Sequence, residues 1–172
     1  MSGPSGAGKG TIVSRLVAAD ARLWLSRSWT TRARRESEAV DAYVWVDEET
    51  FRAHADRGGF LEWAVVYGDL KGTPMPDPPP GRDVVLEIDL QGAHQIRALH
   101  PDALIVFIAP PSREEQERRL RWRGDPEDDV QRRLAKADAE EEVGRAMADA
   151  VIVNDDVDRA VAEIQTLISS RR

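Results

Sequence analysis

Residues Gly3-Pro4-Ser5-Gly6-Ala7-Gly8-Lys9-Gly10-Thr11 carry four glycines and a lysine in the spacing G-x-x-x-x-G-K. Glycines at that density let successive backbone N–H groups turn inward around an anion. Lys9 adds a mobile positive charge for the outer phosphates. The following Thr11–Val17 (TIVSRLV) has helical spacing, so a helix N-terminus faces the same anion. A plain Gly-rich turn before a helix is the alternative, but it requires neither the lysine nor this register. Gly10 has no side chain where such loops usually offer a Ser or Thr to Mg2+. Thr11 substitutes, or the ion is held through water and nucleotide alone.

Upstream of the loop stand only Met1 and Ser2. Phosphate loops normally follow a hydrophobic strand at the centre of a sheet. The expectation is either an earlier start or a sheet without its middle strand, with two edges unpaired. Roughly six apolar residues added before Met1 should then raise stability.

Downstream, apolar runs at Val84–Ile88, Ala103–Ile108 and Ala150–Val153 predict buried strands, and Leu23–Ser28 a weaker one. Ser112-Arg113-Glu114-Glu115 is a capping box opening a helix to about Trp122. Asp47 caps a helix to about Asp56, and Gln131–Ala148 reads as a long charged helix. Val157, Ala160, Val161, Ile164, Leu167 and Ile168 share one face of a C-terminal amphipathic helix. Pro74–Gly81, with five prolines in eight residues, is loop. Strands alternating with helices define an α/β class, with a parallel sheet flanked by helices.

The 172 residues suffice for one domain with a sizeable core. Cysteine is absent, which excludes disulfides and thiolate metal sites. The net charge of −7 argues against a nucleic-acid partner. No apolar run approaches a membrane span and no signal pattern opens the chain, so the expectation is a cytoplasmic protein without a membrane partner. Of 24 basic residues only three are lysines, Lys9, Lys71 and Lys136.

Further motifs follow in order: Ser28–Arg35 (SWTTRARR), Phe60–Ala64 (FLEWA), Gly72-Thr73-Pro74, Leu86–Ala93 (LEIDLQGA), Phe107–Ser112 (FIAPPS), Arg123-Gly124 and Val151–Asp156 (VIVNDD). In combination they make the chain resemble the guanylate kinase family over essentially its whole length. The resemblance implies transfer of the γ-phosphoryl of ATP to GMP with Mg2+. It also implies a P-loop kinase core at about 1–28, 83–122 and 134–172, a small GMP-binding insertion at about 29–82 and a mobile lid at about 123–133.

The resemblance further implies site roles. Gly3, Pro4, Ser5, Gly6, Ala7, Gly8, Lys9, Gly10 and Thr11 would bind ATP, with Arg119 a further candidate and Asn154 on the adenine side. Arg32 and Arg35 match residues that hold the GMP phosphate, with Tyr43 as a third contact. Glu62 matches the guanine reader, and Ser28 and Thr73 complete the base pocket. Arg123 and Arg133 match lid arginines, so that Lys9, Arg32, Arg123 and Arg133 form the catalytic set. The chemistry is coherent. The acceptor is an already ionised phosphate oxygen, so no general base is needed, and converging cations are. His54, His94 and His100 lie outside every motif and read as surface or core-edge residues.

Several readings stay open at this level. Glu62 could be the polar face of a strand, and the Arg32 segment a solvated basic loop. Asp89 orients Mg2+ waters or a ribose, or caps helix 91–99; Asn154 could cap the last helix. Arg118, Arg121 and Arg132 read as surface Glu/Arg pairs. The chain also departs from the family pattern. Lys71 stands for a tyrosine that would meet the GMP phosphate, and Ser37 for a glycine. The Arg35-to-Tyr43 spacing and the lid are each one residue short, and Pro74–Pro80 replaces a helix. A kinase with a drifted phosphorylated acceptor and a non-catalytic binding module of the same fold are the alternatives. Retained Glu62, Ser28 and Thr73 oppose the first; Lys9 in an intact loop opposes the second.

Overall fold

The computed structural model describes residues 1–36 and 38–171, so the Ser37 substitution lies outside the described residues. Two layers of strand carry the fold. The first is parallel: β1 (Leu23–Leu25) pairs with β6 (Asp83–Val85), and β7 (Val106–Ala109) pairs with β8 (Ala150–Val153). Met1 and Ser2 join the two pairs. The Met1 amino group donates to Leu86 O at 2.7 Å, and Ile88 N–H to Met1 O at 3.1 Å. Ser2 N–H donates to Val106 O at 2.9 Å, and Ile108 N–H to Ser2 O at 2.8 Å. The two residues are thus a stub of the central strand, as the loop's position implied.

Beyond the stub the two edges diverge around a cavity of about 460 Å3 lined by Val85, Leu86, Ile88, Ile96, Val106 and Ile164. The strands at its walls differ from the predicted runs Val84–Ile88 and Ala103–Ile108: Asp83–Val85 ends three residues early, and Val106–Ala109 begins three residues late and ends one later. A strand without a neighbour loses its ladder. An added segment of about six apolar residues before Met1 is expected to pair with both walls. Each buried aliphatic side chain contributes about 2 kcal/mol, offset by about 1–2 kcal/mol per ordered residue. A net gain of about 3 kcal/mol would raise Tm by roughly 6–12 °C. An unchanged melting curve would contradict this account of the cavity.

Helices α1 (Lys9–Ala19) and α6 (Val157–Ser170) cover one face, with Ile12, Val13, Leu16, Ala160 and Ile164 fully buried between them and the sheet. The predicted apolar face of α6 is the one that packs. Its N-cap is Asp156, which accepts from Arg159 N–H at 2.8 Å, not Asn154.

The second layer is a four-stranded sheet of order β3-β2-β5-β4, formed by β2 (Trp29–Thr30), β3 (Val44–Trp45), β4 (Phe60–Val66) and β5 (Asp69–Pro74). β4 and β5 form a hairpin whose turn places both Tyr67 and Gly68 at positive φ. Helix α2 (Glu48–Asp56) is capped by Asp47, as predicted, and buries Phe51. His54 stacks on Trp29 at 4.4 Å between centroids and meets Phe60 edge-on, a core-edge histidine; His94 and His100 are exposed. Helix α3 (Leu90–Leu99) bridges the layers. Its Gln91 and Gln95, one turn apart, donate to Val65 O and Trp63 O and so cover the outer edge of β4. Of the loop predicted over Pro74–Gly81, Pro74 instead ends β5, and Met75–Gly81 form no helix or strand.

Helix α4 (Arg113–Trp122) starts at Ser112, whose hydroxyl accepts from Glu115 N–H. The Glu115 carboxylate does not return the bond; it holds Arg118 and Arg119 instead. Helix α5 spans Glu127–Met147 and begins four residues before the expected Gln131. Pro126 at its N-cap and Glu127, Asp128 and Asp129 in its first turn favour early initiation. Of the stretch 124–129 read as a polar turn, residues 127–129 are therefore helical and only Gly124–Pro126 lie outside a helix, and Arg133 stands on α5. Arg118, Arg121 and Arg132 pair with Glu115, Glu117 or Glu127, and Asp129 on the surface, as expected.

Candidate active site

The loop Gly3–Gly8 leads directly into α1, whose first turn has no side-chain cap and no acidic residue. Free N–H groups at that end suit an anion. Gly8 holds φ at 88°, and a Cβ there would collide with Asn154 Nδ2, so only glycine fits. Lys9 Nζ donates to Gly3 O at 2.6 Å and Pro4 O at 3.0 Å, folded back over the loop. Neighbouring helices and strands brace it. Gln116 Nε2 donates to Ser5 O and Asn154 Nδ2 to Ala7 O, each at 2.7 Å. The Arg119 guanidinium goes to Ala7 O, Asn154 O and Glu115. Arg119 and Asn154 thus touch the loop backbone, and Thr11 is exposed on the first turn of α1.

Burial pulls the Lys9 ammonium down from its ordinary 10.5 to about 8, with Glu87 opposing and Lys71 and Arg123 reinforcing. In the free protein Lys9 loses its proton as pH rises through about 8. A bound triphosphate would restore that proton. Binding of a non-hydrolysable ATP analogue at pH 8.5, where the ligand phosphates are already ionised, is therefore expected to take up a proton and to weaken as pH rises further. At pH 7 no uptake arises from this group. Titration calorimetry in two buffers of different ionisation enthalpy checks this, and equal proton uptake at both pH values would contradict it. The same linkage makes the free protein gain stability as pH rises from about 8 toward 10.5, since the unfolded chain holds the proton more tightly.

Two further arginines converge on the loop. Arg133 Nη1 donates to Ser5 Oγ at 2.9 Å, and its guanidinium lies 4.7 Å from the centre of the Tyr67 ring. Arg123 closes α4. The Nε atoms of Arg123 and Arg133 are buried and lack a hydrogen-bond partner. Buried unsatisfied cationic donors beside a glycine loop mark a place for an anion.

The second layer carries the other set. Glu62 and Thr73 are cross-strand partners on β4 and β5. Glu62 is 4% exposed, and its Oε1 accepts from Thr73 Oγ1 at 2.5 Å. Its Oε2 packs against Gly92, where a Cβ would overlap it. Burial raises the Glu62 carboxyl above its usual range, partly opposed by the Thr73 bond. Ser28 is buried just before β2. Arg32 and Lys71 both approach the Tyr43 ring, at 5.7 and 5.4 Å from its centre. Lys71 also donates to Glu87 O at 3.1 Å and feels the charges of Tyr43, Glu87, Asp89 and Glu62. It therefore lies between the Glu62 carboxylate and the Arg32–Tyr43 pair. Arg32 and Arg35 are both held by Glu38. Asp89 caps α3, accepting from Gln91 and Gly92 N–H through Oδ1.

The described residues contain no cluster of three carboxylates or imidazoles able to cage a metal. They do suit an ion held largely by water and phosphate. The Glu87 carboxylate oxygens lie 3.6 and 3.8 Å from where a Gly10 Cβ would stand, so hard oxygen donors flank the spot where the loop lacks a hydroxyl. Glu87, Glu38, Asp125 and Gln116 escaped the sequence reasoning. Only Glu87 had a local signal, its place as the lone acid within the apolar run Val84–Ile88.

A glycine loop on a parallel sheet, a second sheet with a buried carboxylate, and arginines between them define a P-loop kinase acting on a small phosphorylated acceptor. Comparison with known proteins narrows the class. The sequence profile described as guanylate kinase matches residues 1–171. A guanylate kinase of Synechococcus sp. (strain CC9902) is 49% identical over 174 residues, covering 96% of this chain and 91% of that one. One from Chromobacterium violaceum is 46% identical, covering 98% and 83%. The crystal structure of guanylate kinase from Anaplasma phagocytophilum superposes with a TM-score of 0.79 at 31% identity, covering 99% and 82%. The chain belongs to the guanylate kinase family.

Proposed function

We propose that this protein transfers the γ-phosphoryl group of ATP to the phosphate of GMP, giving ADP and GDP. The observation that carries it is the buried Glu62–Thr73 pair, with Lys71 between it and the Arg32–Tyr43 pair. A carboxylate there accepts from N1–H and N2–H2 of guanine together, donors that adenine lacks. Ser28 and Thr73 complete the base pocket. Arg32, Arg35, Tyr43 and Lys71 hold the acceptor phosphate, with residues 29–82 as the acceptor-binding region.

On the donor side, residues 3–11 cradle the triphosphate, and Lys9, Arg123 and Arg133 neutralise charge on the transferred group, with residues 123–133 as the lid. Arg119 and Asn154 brace the adenine end. An ionised acceptor oxygen forms the new P–O bond as the bond to the ADP oxygen breaks, and no proton moves. Mg2+ suits the oxygen donors of Glu87, with Asp89 and Thr11 as alternatives through water, and when bound it offsets phosphate charge. The protein residues align the two polyanions and exclude water between them.

No described helix is long and apolar enough to cross a membrane. Cytoplasmic placement, where both nucleotides occur, completes the reading. Phosphorus NMR of a mixture of the protein, ATP, GMP and Mg2+ tests it: GDP and ADP resonances should appear in equal amounts. ADP with free phosphate instead would contradict it.

A further inference from the structure

The turn between α4 and α5 holds a carboxylate that neither the base pocket nor the phosphate loop uses. The Asp125 side chain is 3% exposed. Its Oδ1 accepts from Arg35 Nε at 3.0 Å, 90 positions away in the acceptor region. Its Oδ2 accepts from Arg123 Nη2 and lies 3.8 Å from Arg133 Nε. One buried anion thus faces three arginines from both halves of the site. Burial alone would raise its pKa, but the Arg123 bond and the charges of Arg123, Arg35 and Arg133 hold it below the ordinary carboxylate range. It is ionised at neutral pH.

Its two oxygens are divided between two tasks. Oδ1 fixes Arg35 through Nε, while Glu38 takes Nη1 at 3.0 Å. Oδ2 gathers Arg123 and Arg133, and Arg133 in turn reaches Ser5 of the phosphate loop at 2.9 Å. A continuous path of charge-assisted contacts therefore runs from Glu38 and Arg35 through Asp125 to Arg133 and the loop. Without the carboxylate, the buried Arg133 and the partly buried Arg35 and Arg123 would repel one another and drift apart.

Resting on the nucleotide assignment above, we propose that Asp125 is a positioning residue that couples the acceptor-phosphate arginine to the two donor-side arginines. Occupancy of one phosphate site then orders the other. The coupling is a free energy shared by both ligands, so each should tighten the other by the same factor.

Titration calorimetry with GMP and a non-hydrolysable ATP analogue plus Mg2+, each alone and in the presence of the other, tests this. The unaltered protein should bind each ligand at least about fivefold more tightly when the other is present. Asp125→Asn should reduce that factor below about twofold while GMP alone still binds, and Asp125→Glu should restore part of it. If Asp125→Asn melts below the titration temperature, Arg35→Lys serves instead, since it keeps the charge but lacks Nε; the same loss is expected. A variant that keeps the full factor, or an unaltered protein without one, overturns the proposal. Failure of either nucleotide to bind at all overturns the nucleotide assignment, a separate outcome.

Discussion

Lys9→Ala is expected to lower kcat by at least about 10³-fold, corresponding to about 4 kcal/mol of lost transition-state stabilisation. Lys9 is the cation that starts the helix behind the glycine loop, and burial has already brought its pKa to about 8. A partly desolvated ammonium interacts strongly with an incoming polyanion. The substitution removes two hydrogen bonds, to Gly3 O and Pro4 O. It leaves Ile12, Val13 and Leu16 in the core, so the melting transition should stay within a few degrees of the unaltered protein. Turnover assays paired with melting curves check both halves. Activity within tenfold of the original would remove Lys9 from the catalytic set.

Glu62→Ala should be nearly as damaging, but selectively. The buried carboxylate is held by Thr73 and seated against Gly92, in a position built for donors. A site of that kind rejects a base without the donors by roughly 10⁴-fold, because the carboxylate would be left desolvated and unpaired. Removing it should cut kcat/KM for GMP by about 10³-fold while changing that for AMP little, so the GMP/AMP ratio collapses. Glu62→Gln should also fail to restore the ratio, since its amide sets a donor against a donor of guanine. An unchanged GMP/AMP preference in Glu62→Ala would exclude Glu62 as the guanine reader.

Much of this was legible in the sequence, and the reason is locality. The glycine loop and its lysine lie within nine residues, and the caps Asp47 and Ser112 lie beside the helices they start. The run Ala150–Val153 is a strand at the expected boundaries because a parallel neighbour pairs its whole length. The elements that differ depend on distant partners. β6 stops at Val85 because its pairing with β1 ends at Leu25, and beyond it Leu86 and Ile88 bond to Met1 instead. The last helix is capped by Asp156, while Asn154 is drawn away to Ala7, 147 positions distant. The early start of α5 was written in Pro126 and the three acids that follow, but a charged turn and a capped helix start share that composition. Asp125 and Glu38 carried no signal at all, because a carboxylate gains its role here only from arginines that folding brings to it. The net charge of −7 hid the same fact: the cations that matter are a local cluster, not a surplus.

Acceptor selection is the most direct measure of the account. Initial rates of ADP release with ATP and Mg2+ should be compared across GMP, AMP, CMP and UMP at equal concentration. The account predicts strong turnover with GMP, at least about 10³-fold above the other three in kcat/KM. Comparable turnover with AMP or a pyrimidine acceptor, or none with GMP, would contradict it.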